Sequence, residues 1–201
     1  MKEKIYCFDF DGTLTQRDTL PAFIRFACGR RAFWLGFLLH SPLLVLMKLR
    51  LYPNYKAKQR LFSWYFQGMK MADFDGLCHD FATNSRLLLR EEGLAALRRA
   101  AGEDAAAVFV VSASIENWVR PFFLEDGLAA VEVLGTQVEA CDGRLTGRFL
   151  TPNCYGAEKV RRIRERLSAP REHYFITAYG DSQGDKEMLA YADKGYFRAF
   201  E

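Results

Sequence analysis

The chain has 201 residues and half of them are apolar, so it is long enough for one well-buried domain with an appended subdomain but hardly for two independent ones. Its 28 Lys and Arg residues stand against 25 Asp and Glu residues, and a net charge of +3 does not by itself indicate a nucleic-acid partner. The five cysteines form no C-x-x-C pair and follow no signal peptide, which predicts a protein of the reducing cytosol and gives them no metal-binding role.

Three short apolar runs of strand-forming residues, each ending in small or acidic residues, occur along the chain. They cover residues 4–10, 107–111 and 173–177, and we interpret them as buried strands. Helical patterns lie between them, at residues 87–101, 115–124 and 158–167. Strands that alternate with helices predict an α/β fold with a parallel sheet covered on both faces, and ligands at the carboxyl ends of the strands.

The remaining segments predict additions to this core. Residues 131–138 and 144–150 flank a turn at residues 141–143 and predict an attached hairpin. A last short strand is expected around residues 196–200. The interval 15–86 does not fit the alternation and looks mainly helical, so it is the candidate insertion.

Two carboxylates stand two residues apart in Asp9-Phe10-Asp11-Gly12-Thr13, where the first predicted strand gives way to a loop. This spacing suits a division of labour in which one carboxylate attacks phosphorus while the other protonates the leaving oxygen and later activates water. Two anions would repel a phosphate, so such a site needs a divalent cation. Magnesium (Mg²⁺) is the natural choice for a site made of oxygen ligands.

Other segments contain groups of the types that would complete such a site. Ser112 can donate a hydroxyl hydrogen bond to phosphate, with nearby backbone N–H groups adding more, and Lys159 can offset the negative charge. Asp181 and Asp185 provide further oxygen ligands or supports for them. Each piece has an ordinary interpretation as a turn, a helix cap or an exposed lysine, but all four in this order seldom coincide without chemistry.

These pieces resemble the four motifs of haloacid dehalogenase superfamily phosphatases, most closely those of the phosphoserine-phosphatase-like branch, subfamily IB. The matching segments are Asp9-Phe10-Asp11-Gly12-Thr13-Leu14-Thr15, Val110-Val111-Ser112-Ala113-Ser114, Lys159 and Gly180-Asp181-Ser182-x-x-Asp185. The resemblance spans nearly the whole chain. It implies a Rossmann-like core of residues 1–14 and 87–201, with a helical, C1-type cap of residues 15–86 inserted after the first motif.

The same resemblance implies a role for each residue. Asp9 is expected to be nucleophile and metal ligand, and Asp11 the general acid and base as well as a metal ligand through its backbone carbonyl. Asp181 completes the expected Mg²⁺ site and Asp185 supports it. The implied phosphate-binding residues are Gly12, Ser112, Ala113 and Lys159. Because Asp11 is present, phosphoryl chemistry is expected instead of dehalogenation.

The predicted cap is strongly basic and apolar. Residues 19–72 contain nine Lys and Arg residues and no Asp or Glu. Residues 33–47 are almost all apolar but fall short of the roughly 20 residues that a spanning helix needs, and Pro42 predicts a break into two short helices. Such a cap suits an anionic amphiphile or the surface of an anionic membrane. The alternative interpretation is that the apolar run forms the cap's own core and that the basic residues steer generic phosphates.

The substrate stays open between two classes. Cap residues 55–62 are similar to those of bacterial phosphatidylglycerophosphate phosphatases of type C, which favours an anionic lipid phosphate and a cytoplasmic protein placed peripherally at the inner face of the membrane. Asp18 stands where phosphoserine phosphatases hold the substrate's amine and Arg60 could hold a carboxylate, so a small-metabolite phosphatase of the phosphoserine type is the alternative. A phosphotransferase is also compatible with the motifs. A non-enzymatic docking protein and a nucleic-acid partner are disfavoured.

Overall fold

The computed structural model describes residues 2–49, 51–103, 107–124 and 128–201. The strands found there are β1 (Glu3–Phe8), β2 (Ala107–Ile115), β3 (Glu132–Thr136), β4 (Val138–Cys141), β5 (Arg144–Phe149), β6 (Tyr174–Gly180) and β7 (Lys194–Phe197). The helices are α1 (Thr19–Lys48), α2 (Asn54–Phe66), α3 (Met71–Asn84), α4 (Glu91–Gly102), α5 (Glu116–Val119), α6 (Ala157–Arg164) and α7 (Lys186–Tyr191). Arg50, one of the nine basic residues of the predicted cap, lies outside the described residues.

A five-stranded sheet in the order β3-β2-β1-β6-β7 lies at the centre of the molecule, and all its neighbouring strands are parallel. Phe8, the last residue of β1, pairs with Val110 of β2 and with Tyr179 of β6. The carboxyl ends of these strands therefore meet at one edge of the sheet. This confirms the predicted α/β fold with a parallel sheet.

Both faces of the sheet are covered by side chains of the helices. On one face, Phe8 and Val110 belong to a large apolar cluster. On the other face, Cys7 packs with Ile163 of α6 and Met188 of α7. Because the central strands are buried on both sides, their sequences are nearly continuous apolar runs, which is the pattern that made them predictable.

The hairpin differs from the one predicted for residues 131–138 and 144–150. Strand β3 takes most of the first predicted arm into the main sheet, where it pairs with β2 in parallel. The hairpin is instead made by β4 and β5, with Cys141 paired to Arg144 across the predicted turn. Val133 and Leu134 are buried in two different apolar clusters, so β3 is covered on both faces and belongs to the sheet. The last strand, β7, also begins earlier than predicted.

Helix α1 bends at Gly29 and not at Pro42, where the sequence predicted a break. Gly29 has φ 78° and ψ 166°, a conformation that residues with a side chain rarely adopt. Pro42 lies inside the helix and cannot donate to the carbonyl of Leu38, but the Ser41 hydroxyl donates to that carbonyl over 2.8 Å. The prediction at Pro42 is wrong because this hydroxyl replaces the missing donor. Within the described ranges, no helix has both the length and the apolar content to cross a membrane.

Helices α1, α2 and α3 pack around the ring of Phe23. Its ring centroid lies 5.5 Å from that of Phe66 in α2, and 5.7 Å and 5.4 Å from those of Phe74 and Phe81 in α3. Phe23 also stacks on Trp118 of α5, at 4.7 Å. Aromatic pairs of this kind contribute about 0.5–1.5 kcal/mol each beyond the area they bury. The cluster therefore fixes the three helices against the part of the core that carries α5.

The two connections between this helical segment and the sheet run side by side. Thr15 and Leu89 form an isolated antiparallel bridge, and the N–H of Arg90 donates to the carbonyl of Leu14 over 2.8 Å. Helices α1, α2 and α3 occupy the chain between these two connections. The domain boundaries proposed for the cap, at residues 15 and 86, stay a prediction.

We expect a Gly→Ala substitution to change the free energy of unfolding in opposite directions at two glycines of the helical segment. Gly29→Ala places a side chain at a positive φ and is expected to lower the free energy of unfolding by roughly 1–3 kcal/mol. Gly76→Ala, at an exposed position inside α3, is expected to raise it by roughly 0.5–1 kcal/mol. At both sites no described atom lies within 4 Å of the added methyl group, apart from adjoining residues and the helix's own nearby backbone. Urea unfolding measures both changes, and equal effects would contradict the bend at Gly29.

Candidate active site

Three carboxylates meet at the edge of the sheet where β1 and β6 end. Asp9 directly follows β1, Asp181 directly follows β6, and Asp185 lies four residues further along the chain. One carboxylate oxygen from each residue lies within 4.8 Å of those from the other two. Oxygen donors of this kind are the ligands that Mg²⁺ prefers in proteins. The donor set therefore fits a divalent cation.

The ammonium group of Lys159 is buried among these carboxylates and joins three segments of the chain. Its Nζ donates to Asp9 Oδ1 (2.5 Å), to Asp185 Oδ1 (2.6 Å) and to the carbonyl of Val111 in β2 (2.7 Å). All three N–H bonds of the ammonium are thereby used. Only 1% of Lys159 is exposed, so protein groups and not water compensate its charge. The sequence had predicted a positive charge that offsets these carboxylates, and Lys159 lies where it can do so.

Burial and mutual attraction shift the proton affinities of these groups. Burial raises the pKa of Asp9 to about 8, and the charge of Lys159 opposes that rise. Burial disfavours the charge on Lys159, but the attraction of Asp9 and Asp185 outweighs it and raises the Lys159 pKa. Burial by itself would raise the pKa of Asp185. The charge of Lys159 and the hydrogen bonds from Lys159 and Ser182 outweigh burial and lower that pKa. A divalent cation next to Asp9 would favour the ionised form of that carboxyl group.

Asp185 holds the loop that contains Asp181. Its Oδ2 accepts hydrogen bonds from the Ser182 N–H (3.0 Å), the Ser182 hydroxyl (2.8 Å) and the Asp181 N–H (3.3 Å). The Ser182 hydroxyl oxygen accepts from the Gly184 N–H over 3.2 Å, which completes a capping box. Because its other oxygen contacts Lys159, both carboxylate oxygens of Asp185 are occupied by protein donors. This arrangement fits the predicted supporting role of Asp185.

Two hydroxyl residues hold the side chain of Asp11, and the sequence analysis did not identify either contact. Asp11 Oδ1 accepts from the Thr19 N–H (2.7 Å) and hydroxyl (2.6 Å), and Oδ2 accepts from the Ser114 hydroxyl (2.5 Å). Burial and the charge of Asp18 raise the pKa of Asp11, and these hydrogen bonds oppose the rise. Ser114 lies in one of the recognised motifs, whereas no sequence signal connects Thr19 with Asp11.

Gly12 brings the loop after β1 into direct contact with Asp181. Its φ is 87°, and a Cβ at this position would lie 2.4 Å from Asp181 Oδ2. The hydroxyl of the next residue, Thr13, donates to Asp181 Oδ1 over 3.3 Å. A side chain at position 12 would therefore displace one of the three clustered carboxylates.

A cavity of about 370 Å³ opens onto these carboxylates. Ser112 is not in its described lining. It is fully buried, and its hydroxyl oxygen accepts from the Ser114 N–H over 3.0 Å. Arg60 is exposed on α2 and lies outside that lining as well. The roles predicted for Ser112 and Arg60 thus stay predictions. The predicted site residues that do line the cavity are Asp9, Asp11, Gly12, Asp18, Ala113, Lys159, Asp181 and Asp185.

Several polar residues that line this cavity were not predicted from the sequence. Lys58 belongs to the basic segment noticed in the sequence, but Arg17, Arg90 and Tyr155 come from separate parts of the chain and carry no local signal. Such residues become neighbours only through the fold. Asp18, predicted to hold an amine, also begins α1, where its Oδ1 accepts from the Leu20 N–H over 2.9 Å.

A second cavity, of about 810 Å³, adjoins the first and shares Arg17 and Asp18 with it. Its lining combines positive charge with apolar side chains. The basic members are Arg17, Arg25 and Arg30, and the aromatic members are Phe26, Phe33 and Phe81. This composition suits an anionic group that is attached to an apolar body.

Solved structures with a similar fold include a phosphatase. A protein of unknown function from Bordetella pertussis Tohama I has a TM-score of 0.79 and 19% sequence identity, covering 94% of this chain and 87% of that chain. A phospho-aspartyl intermediate analogue of phosphoserine phosphatase has a TM-score of 0.59 and 19% identity, covering 98% of this chain and 86% of that chain. At this identity the likeness shows the fold alone, a Rossmann-like parallel sheet with flanking helices.

Sequence similarity shows the family to which the chain belongs. Protein CicA of Caulobacter vibrioides is 35% identical over 201 residues, which cover 98% of this chain and 86% of that protein. Residues 7–190 match the family of haloacid dehalogenase-like hydrolases, a range that includes the clustered carboxylates and Lys159. The chain therefore belongs to the haloacid dehalogenase-like hydrolase family.

Proposed function

We propose that this protein is a magnesium-dependent phosphomonoester hydrolase that acts through a phosphoaspartate on Asp9. The observation that carries the proposal is the buried contact of Lys159 with Asp9 and Asp185, next to a third carboxylate. This contact combines a nucleophile, a positive charge and oxygen ligands in one cavity, as cleavage of an anionic phosphate ester requires. Membership of a hydrolase family supports the reaction class.

Asp9 and Asp11 divide the covalent chemistry between them. An oxygen of the Asp9 carboxylate attacks phosphorus while the ester P–O bond breaks, and Asp11 gives its proton to the leaving oxygen. A water molecule deprotonated by Asp11 then attacks the phosphorus of the phosphoaspartate, so that phosphate leaves and Asp9 returns to its carboxylate form. The raised pKa of Asp11, caused by burial and by Asp18, fits a group that must hold a proton for the first step.

Bound Mg²⁺ would offset the repulsion between the carboxylates and the phosphate. The residues proposed to hold it are Asp9 and Asp181 through their carboxylates and Asp11 through its backbone carbonyl. Asp185 keeps the loop of Asp181 in place. Lys159 and the backbone N–H groups of Gly12 and Ala113 are proposed to bind the phosphoryl oxygens. To do so, Lys159 would exchange its bond to Asp9, and the Gly12 N–H would exchange its bond to the Thr15 hydroxyl oxygen, for a phosphoryl oxygen.

For the substrate we propose an anionic lipid phosphate such as phosphatidylglycerophosphate. The second cavity supports this proposal by its size and by its lining. Its volume is about 810 Å³, and its lining places Arg25 and Arg30 beside Phe26 and Phe33. A lipid whose terminal phosphate lies at Asp9 still has a second phosphate and an apolar body to accommodate. In the second cavity, the arginines could bind the second phosphate and the aromatic side chains could contact the apolar body.

A small zwitterionic phosphate of the phosphoserine type is the second candidate. Asp18 lines the catalytic cavity and its charge would attract an amine. However, Arg60, which the sequence analysis paired with the substrate carboxylate, lies outside the described lining of that cavity. The larger cavity, with its aromatic lining, also exceeds what such a small substrate needs. The lipid is therefore the better-supported substrate.

Replacing the proposed nucleophile tests the reaction. Asp9→Asn is expected to lower kcat for p-nitrophenyl phosphate by roughly 10³-fold or more, because the nucleophile is lost. Removal of Mg²⁺ from the parent protein by a chelator is expected to stop turnover as well. Phosphate release measures both effects, and circular dichroism establishes that the variant is folded.

Asp142→Asn is the matched control for this experiment. Asp142 is an exposed turn residue with a φ of 49°, a conformation that Asn tolerates. The same chemical change there is expected to leave turnover at the parent level. Equal phosphate release by Asp9→Asn and the parent, or turnover that survives chelation, would contradict the phosphoaspartate mechanism.

Two arginine substitutions separate the two substrate classes. Arg25→Gln removes a positive charge from the second cavity and is expected to lower kcat/KM for phosphatidylglycerophosphate in detergent roughly tenfold, since a charged hydrogen bond is lost. The same variant is expected to keep its kcat/KM for p-nitrophenyl phosphate. Arg60→Gln is the matched control and is expected to change neither value. If Arg60→Gln instead impairs turnover of phosphoserine while Arg25→Gln affects no substrate, the phosphoserine type is favoured.

A further inference from the structure

We infer that the distal half of α1, residues 30–48, docks on an anionic lipid bilayer through one exposed apolar face. This outer face consists of Trp34, Leu35, Leu38, Leu39, Val45 and Leu46, which are between 42% and 72% exposed. They form two neighbouring rows, one of residues 34, 38 and 45 and one of residues 35, 39 and 46, and the spacing of four and then seven within each row keeps both rows on a single side of the helix. The surface goes beyond the proposed reaction, because none of these residues lines the catalytic cavity as described.

The distal half is apolar on two sides, but protein covers only the inner one in the described part of the chain. On the inner side, the Tyr65 hydroxyl of α2 donates to the carbonyl of Phe33 over 2.8 Å. Further along, the ring centroids of His40 and Trp64 lie 6.0 Å apart. A helix that is apolar all round is normally buried on all sides. The outer face therefore has the composition of a buried surface, but none of the described residues forms a layer over it.

The charges around the outer face indicate what covers it. Exposed Arg30 and Arg31 stand at one end of the distal half, and exposed Lys48 stands at the other. The whole interval 19–72 contains no Asp or Glu that could neutralise them within the sequence. Basic residues that flank a row of large apolar side chains complement anionic headgroups above an acyl layer.

A bilayer surface fits these features better than a second copy of the chain. In a symmetric pair that packs outer face to outer face, Arg31 or Lys48 of one copy would approach a basic residue of the other, and such like charges repel. The distal half is about 28 Å long at the usual helical rise. Since no described helix can cross a membrane, the helix would lie in the plane of the interface.

The second cavity opens beside this surface. Arg30 and Phe33 line that cavity and also begin the distal half of α1. Docking of the outer face would therefore bring the mouth of the cavity close to the headgroups of the bilayer. This last step rests on the lipid substrate proposed above, whereas the docking itself does not.

Vesicle sedimentation tests the docking without requiring turnover. The full chain is mixed with vesicles of phosphatidylcholine alone or of equal parts phosphatidylcholine and phosphatidylglycerol. We expect binding to the anionic vesicles, a blue shift of tryptophan fluorescence as Trp34 enters the interface, and much weaker binding to the neutral vesicles. Added salt is expected to weaken binding because it screens the basic residues.

Two double variants assign the binding to the outer face. L38Q/L39Q keeps good helix formers and is expected to weaken vesicle binding roughly tenfold or more, while turnover of p-nitrophenyl phosphate stays at the parent level. The control L124Q/L150Q changes two exposed leucines outside α1 and is expected to bind as the parent does. R31Q/K48Q is expected to weaken binding to anionic vesicles roughly tenfold.

Three outcomes would overturn the inference, and a fourth would separate it from the proposed function. Binding of L38Q/L39Q equal to that of the parent, or no binding to either kind of vesicle, would show that the outer face does not dock on lipid. A dimer seen by light scattering that L38Q/L39Q dissociates, without vesicle binding, would assign the face to a second copy. If the parent binds vesicles but hydrolyses no phosphate ester, the docking surface stands and the proposed function fails.

Discussion

The buried ammonium group of Lys159 is the interaction on which the rest of the site depends. It lies between Asp9 and Asp185 and also donates to the carbonyl of Val111, so it joins the first strand, the second strand and the loop after β6. Burial of one charge alone would be strongly unfavourable, whereas a fully hydrogen-bonded group of opposite charges is tolerated. Without this cation the clustered carboxylates would repel one another, and the loop containing Asp181 would lose its fixed distance from Asp9.

The positions of Asp9 and Asp181 could be predicted because both depend on a local pattern. Each follows a continuous apolar run, and parallel strands deliver their carboxyl ends to one edge of the sheet. The contact of Thr19 with Asp11 could not be predicted in this way, since it depends on where α1 begins relative to the loop after β1. The same holds for Arg17 and Tyr155, whose presence in the cavity follows from tertiary packing and leaves no trace in their immediate sequence neighbours.

The fold shows the same division between local and tertiary signals. The strands of the sheet could be predicted from their apolar runs. The limits of the hairpin could not, because an apolar residue such as Val133 is expected both in a hairpin strand and in a strand of the main sheet. Pro42 is a strong local signal for a helix break, and the Ser41 hydroxyl cancels it by binding the carbonyl of Leu38. The bend at Gly29 was missed since a glycine inside an apolar helical pattern is compatible with a straight helix as well.

The bend at Gly29 also divides α1 into two parts that make different contacts. The first part carries Thr19, which holds Asp11, and Phe23, which is locked in the aromatic cluster. The second part carries the outer face and shares neither of these contacts. Sequence changes confined to the second part therefore remove none of the described hydrogen bonds that hold Asp11. Natural selection can therefore change the outer face residue by residue without altering the groups that hold Asp11.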